Sequence, residues 1–263
     1  MHDACNFTIG SLARRNARMN SSRIGLILND QQITYESFNK RVNCLANAFL
    51  AQGVSKGDRV AVLMPNLPQI LETYFACAKI GAIALLVNLR LTPADVTYML
   101  NDARAKIAVV LNMFLGLIEQ EKLETLETTV VVGKPEHPDL DYESFLERGN
   151  KKEPQGSHVI VPDDDFLLLY TSGTTGRPKG CLLSHRAMLT NNFNLISRLQ
   201  ISSSERYLNV LPLFHMAGLG LALSVFHAGG VNVLMPMPDV AEMARLIERS
   251  EEHTSELQSP NTI

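Results

Sequence analysis

No long run of like charge passes through these 263 residues: 24 lysines and arginines stand against 27 aspartates and glutamates, a formal charge of −3. Even the basic pair Lys151-Lys152 is followed at once by Glu153. A nucleic-acid surface is therefore not expected. Cysteine is sparse as well. Cys5, Cys44, Cys77 and Cys181 are too far apart for a zinc pattern and lack the paired spacing of a disulfide scaffold, which fits a reducing cytoplasm. The first residues, Met1 to Asn6, have neither a basic start nor an apolar core, so no secretory signal is read there. Leu211 to Pro236 contains no formally charged residue, and a span needs ~20 apolar positions. Pro212, His215, His227 and Gly229-Gly230 interrupt it, so the expectation is no transmembrane span and a buried helix over Met216–Phe226. Nothing in the sequence bears on oligomeric state or on peripheral membrane contact.

What is present is apolar residue in quantity, 46% of the chain, enough for a sizeable core. Thr34 reads as a helix N-cap, followed by Phe38, Val42, Leu45, Ala46 and Phe49 on one helical face until Gly53. Arg59–Met64 is a short apolar run between turn residues, a strand buried on both faces. A helix carrying Ile70, Leu71, Tyr74, Phe75 and Ala78 stops at Gly81. Ala82–Val87 is the next strand, Thr92-Pro93 opens a helix to about Ala103, and Ile107–Leu111 is strand again. Alternating elements with strands that lack a polar face predict an α/β fold of mostly parallel sheets with helices on both faces. The composition turns polar between Pro135 and Pro162, and a subdomain boundary is expected near 150–162. Asp163-Asp164-Asp165 precedes a strand and reads as a solvated edge rather than a metal cluster.

Phe166–Tyr170 is a buried strand that runs into Thr171-Ser172-Gly173-Thr174-Thr175-Gly176-Arg177-Pro178-Lys179-Gly180. Ten residues supply four hydroxyls, three glycines and two cations. Glycine lets backbone N–H groups turn toward an anion, hydroxyls add donors, and Lys179 and Arg177 offset negative charge, which suits phosphate. The spacing fits neither the common P-loop nor G-x-G-x-x-G, because no Gly precedes and no Ser or Thr follows the lysine.

Tyr170–Gly180, followed by Leu182-Leu183-Ser184-His185, resembles the signature of the AMP-binding, adenylate-forming superfamily of acyl-CoA synthetases, luciferases and peptide-synthetase adenylation domains. The segments Gly57–Val62 with Asn66, Gly81-Ala82, Asn88–Thr92 and Leu211–Leu219 resemble the family's other segments, so that Phe7 to Glu248 is covered. The resemblance implies an incomplete N-terminal domain of an adenylate-forming enzyme. In that family the loop grips the phosphates of ATP while a carboxylate attacks the α-phosphorus, Mg²⁺ shares the charge, and the coenzyme A thiol then displaces AMP. By resemblance Thr171, Ser172, Gly173, Thr174, Thr175, Gly176 and Lys179 bind nucleotide phosphate, and His215 sits beside the acyl and nucleotide site. No metal ligand is assigned. The expected substrate is a carboxylic acid of the fatty-acyl or medium-chain kind. An amino acid, a luciferase-like reaction and a non-catalytic nucleotide-binding fragment are the alternatives. His185 is expected to be structural or at the surface, and Cys181 a buried inert thiol.

After Glu248 the resemblance stops. Arg249 to Ser259 equals the in-frame translation of a widely used sequencing adapter. The expectation is thus residues 1–248 as a partial N-terminal AMP-binding domain and 249–263 as a non-native tail. The family's later Tyr-Gly-x-Thr-Glu and Thr-Gly-Asp segments and its lysine-bearing C-terminal domain do not occur in the sequence, so the 263-residue chain is expected to be inactive by itself.

Overall fold

The expected alternation of strand and helix is what the chain adopts. The computed structural model describes residues 7–133, 140–155, 159–171, 177–241 and 243–246. Its helices are α1 (Ile9–Met19), α2 (Tyr35–Ala51), α3 (Pro68–Ile80), α4 (Pro93–Asp102), α5 (Tyr142–Leu146), α6 (His185–Leu199) and α7 (Met216–Ala228). The strands are β1 (Ile24–Leu28), β2 (Gln31–Thr34), β3 (Arg59–Leu63), β4 (Ile83–Leu86), β5 (Ala105–Leu111), β6 (Thr128–Val132), β7 (Leu140–Asp141), β8 (Asp165–Thr171), β9 (Lys179–Ser184), β10 (Arg206–Asn209) and β11 (Val231–Leu234).

Local chemistry sets the helix ends. The Thr34 hydroxyl accepts from Ser37 N–H to start α2, and Thr92 and Asp95 form a reciprocal capping box ahead of Pro93 at the start of α4. Gly81 closes α3 at φ +75°, a left-handed conformation that L side chains adopt at a cost.

Two sheets result. The larger has the order β7-β6-β5-β3-β4-β8-β9, parallel throughout except for the antiparallel edge strand β9. Along β3, Val60 and Val62 enter one core while Ala61 and Leu63 enter the other. That alternation between two apolar layers explains why the strand reads as an uninterrupted apolar run. Helices α1, α2, α3 and α5 supply the first layer, and Val96, Met99 and Leu100 of α4 supply the second. The smaller sheet has the order β10-β11-β1-β2, with β10, β11 and β1 parallel and β2 antiparallel.

Polar contacts fasten the layers. Arg41 of α2 bonds Glu72 of α3 through Nε at 2.6 Å and Nη2 at 3.1 Å, and the Tyr142 hydroxyl donates to Glu72 at 2.7 Å. Lys79 donates to Asn39, Asn43 and Glu153, each at 2.7 Å. Asn47 donates to the carbonyls of Asn150 and Lys152, so residues 150–153 lie along α2. Of the aspartates before β8, Asp163 pairs with Arg186 and Asp164 with Lys56. Among the described residues no helix is long and apolar enough to cross a membrane.

Candidate functional site

Parallel strands β3, β4 and β8 all end at the same edge of the large sheet, and the chain changes direction there, running from β3 to β4 on one side and then to β5 on the other. Open α/β sheets bind ligands at such a carboxyl edge. The glycine-rich loop begins from this edge: β8 is buried over Phe166–Leu168 and emerges at Thr171, and β9 returns with Lys179 opposite Thr171 in register. Both residues are exposed. Ser172, Gly173, Thr174, Thr175 and Gly176 lie outside the described residues. Arg177 has its guanidinium 5.3 Å from the centroid of the Tyr98 ring, a cation–π contact, which leaves Lys179 as the cation at the hairpin mouth whose charge is not directed at a ring.

Beside β3 and β4 the same edge holds a cavity of about 450 Å³, whose polar lining comes from Asn66, Asn88, Arg90 and His215 and whose aromatic lining comes from Phe114 and Phe214. Asn66 builds it. This residue is buried and donates through Nδ2 to the carbonyls of Asn209 at 2.9 Å and Leu211 at 3.0 Å, while its Oδ1 accepts from Leu213 N–H at 2.8 Å. One side chain thus satisfies three backbone groups of the turn between β10 and α7. Tyr74 adds a bond from its hydroxyl to the Leu213 carbonyl at 3.2 Å. Gly218 lets the first turn of α7 press onto that turn, since a Cβ there would lie 2.4 Å from the Pro212 oxygen.

His215 is thereby held at the cavity, exposed, as the N-cap of α7. Its Nδ1 accepts from Ala217 N–H at 3.4 Å, which leaves Nε2 as the ring nitrogen not engaged by the cap. The structure brings His215 together with Asn66, Asn88 and Arg90, and sets Thr171 against Lys179. Sequence reasoning singled out Asn66 only as part of a motif. Its polar side chain directly after a buried strand was the available signal. Among the described residues no three His, Cys, Asp or Glu side chains converge, and the polar groups that line the cavity and the hairpin mouth are amides, a hydroxyl, an imidazole and two cations.

His185 is structural. It is fully buried, stacks on Phe166 at 5.1 Å with 15° between the planes, and neither ring nitrogen has a partner. Burial first, and against it the Asp164 charge, leaves its pKa down at about 4. Cys181 corrects an expectation. It is exposed, not buried, because β9 is the edge strand of its sheet and its first four residues are all solvent-exposed.

The comparisons agree with this geometry. The family model described as "AMP-binding enzyme" matches residues 13–254. The indoleacetate–CoA ligase of Aromatoleum aromaticum is 33% identical over 237 residues, covering 89% of this chain and 46% of that protein. A feruloyl-CoA synthase of an Amycolatopsis species is 34% identical over 245 residues, covering 93% and 47%. A crystal structure assigned as a long-chain-fatty-acid CoA ligase of Rhodopseudomonas palustris superposes with a TM-score of 0.87 at 28% identity, covering 94% of this chain and 62% of that one. The chain spans about half the length of the curated relatives it matches. With the loop, the sheet edge and the family match in agreement over nearly its whole length, the chain belongs to the AMP-binding enzyme family.

Proposed function

We propose that the parent of this chain is a carboxylate–CoA ligase and that the described edge of the large sheet is where it handles ATP and the acid. The observation that supports this most directly is the opposition of Thr171 and Lys179 at the mouth of a glycine- and hydroxyl-rich loop on the same sheet edge as the His215 cavity. In this reading Thr171, Ser172, Gly173, Thr174, Thr175, Gly176 and Lys179 hold the β- and γ-phosphates. A carboxylate oxygen of the acid attacks the α-phosphorus, the bond to the β-phosphate oxygen breaks, and pyrophosphate leaves with the electron pair. The loop's task is to hold one polyanion in line with a second anion and to stabilise the leaving charge by aimed donors. The thiol of coenzyme A then attacks the acyl carbon, loses its proton and expels AMP. Magnesium, when bound, supplies further positive charge toward the phosphates.

The acid is of the fatty-acyl or medium-chain kind in the leading reading, which likeness to a structure assigned as a fatty-acid ligase supports. Relatives that activate indoleacetate and ferulate favour an aromatic acid as the second reading. ATP–pyrophosphate exchange and thioester formation by the full-length parent, run over aliphatic, aromatic and amino acids, decide between them. Thr174→Ala and Thr175→Ala should depress exchange, and unchanged exchange in both refutes the phosphate assignment. A non-catalytic nucleotide-binding role for the 263-residue chain taken alone is the remaining reading, and it rests on the phosphate loop. ATP binding without exchange is the expected result for it. Residues 249–263 are proposed to be foreign to the natural chain, which resequencing of the source DNA across Ile247–Ser250 tests.

A further inference from the structure

Both flanks of the glycine-rich loop touch one helix. On the outgoing side Tyr170, next to last in β8, donates its hydroxyl to Asp102 Oδ2 at 2.6 Å. On the returning side the Arg177 guanidinium lies over the Tyr98 ring, and the Tyr98 hydroxyl donates to the Pro178 carbonyl at 3.4 Å. Tyr98 and Asp102 are four residues apart on α4 and so share a face. The helix is itself fixed at both ends. The Thr92–Asp95 capping box holds its start, and Arg59 donates to the carbonyls of Ala103 and Arg104 just past its end. The Val96, Met99 and Leu100 side chains bury its other face in the core. Opposite Tyr170 in register stands Gly180, where a Cβ would press on Leu168 Cδ1 at 3.0 Å and touch the Tyr170 ring at 3.4 Å. Burial, and next the bond to Asp102, holds the Tyr170 hydroxyl protonated and therefore a donor.

We propose that Tyr98, Asp102 and Tyr170 are positioning residues that fix the entry and exit of the 172–176 loop against α4 and thereby set the affinity for ATP. This rests on the assignment of that loop to nucleotide phosphate. A loop whose ends are placed in advance has less conformational entropy to lose when the anion binds. The three side chains act through the backbone at Thr171 and Pro178.

The test uses the full-length parent with Tyr170→Phe, Asp102→Ala, Asp102→Asn and Tyr98→Ala. Tyr170→Phe and Asp102→Ala are expected to raise KM for ATP about tenfold, on the scale of one hydrogen bond to a charged group, while KM for the acid stays put and the melting temperature falls by at most a few degrees. The double variant should be no worse than either single, because both remove the same bond. Asp102→Asn keeps an acceptor oxygen and should fall nearer the parent value. An active parent whose ATP KM is unmoved by Tyr170→Phe and Asp102→Ala overturns the proposal, as does a parallel fall in melting temperature and in every kinetic constant. A parent without ATP–pyrophosphate exchange refutes the phosphate reading instead. Amide hydrogen exchange without nucleotide then tests the tether: faster exchange at Thr171 and Lys179 in Tyr170→Phe and Tyr98→Ala supports it, and unchanged exchange there overturns it.

Discussion

Replacing His215 by asparagine separates its capping of α7 from the role proposed for its imidazole. It caps α7, with Nδ1 accepting from Ala217 N–H at 3.4 Å. That is long for a hydrogen bond, so the cap sits at the low end of the usual range, about 0.5 kcal/mol. Asparagine is among the best N-caps and should restore or improve it. In a chain of this size about 1 kcal/mol corresponds to ~2–4 °C, so His215→Asn should melt within ~2 °C of the parent. The imidazole also faces the cavity with Asn66, Asn88 and Arg90. If Nε2–H meets the developing charge on the acid or phosphate, its loss removes a hydrogen bond to a charged group, ~1.5–3 kcal/mol, or about 10- to 150-fold in kcat/KM. Pyrophosphate exchange in the full-length parent, run beside thermal unfolding, reads both quantities. His215→Ala should lose activity and a little stability. Full exchange in His215→Asn would refute the functional role and leave the histidine as a cap only.

Acid sensitivity is traceable to His185. Its folded pKa of about 4 lies below the ordinary 6.5, so the unfolded chain binds more protons between these values, and stability falls as pH drops through that window. The loss from this residue is on the order of 3 kcal/mol. His185→Phe, which keeps the stack on Phe166, should remove that share while the His227 contribution remains, since burial and then Arg15 also leave its pKa at about 4. An equal loss of unfolding free energy between pH 7 and pH 5 in both proteins, read from urea melts, would refute it. For Arg41 the two partners should differ sharply: Glu72 is 1% exposed and Glu143 59%. Arg41→Ala strands a buried carboxylate and should cost ~3–5 kcal/mol, whereas Glu143→Ala should cost under ~1 kcal/mol. Comparable losses by denaturant unfolding would contradict that account.

Elements of the large sheet were legible because their signals are local. Thr34, Thr92 and Gly81 mark helix ends by their own side chains or their lack of one, and β3, β4, β5 and β8 are apolar on both faces. The small sheet left no comparable trace. Its β1 is five residues long, and its parallel partner β11 stands at the far end of the chain, so no window of sequence contains the pair. Cys181 was misplaced for a related reason. An apolar Cys-Leu-Leu run reads as buried, but which strand becomes an edge is a property of the sheet order. Within the site, residue type and spacing pointed to phosphate at the loop, whereas the bonds between Asn66 and residues 209–213 and from the Tyr170 hydroxyl to Asp102 join segments that only the fold brings near.

The pairing of β1 with β11 also bears on the order in which the molecule can assemble. Asn16 of α1 donates to the Phe226 carbonyl, 210 positions along the chain, and Arg15 donates to the carbonyl of His227. Residues 15, 16 and 26–28 thus find part of their neighbours in residues 226–234. At a synthesis rate of about 5–20 residues per second, the β1–β2 hairpin waits on the order of 10–40 s for the strand that completes its sheet. During that interval the edge of β1 that β11 later pairs is open, so a chaperone that acts on the emerging chain would find its target at that strand.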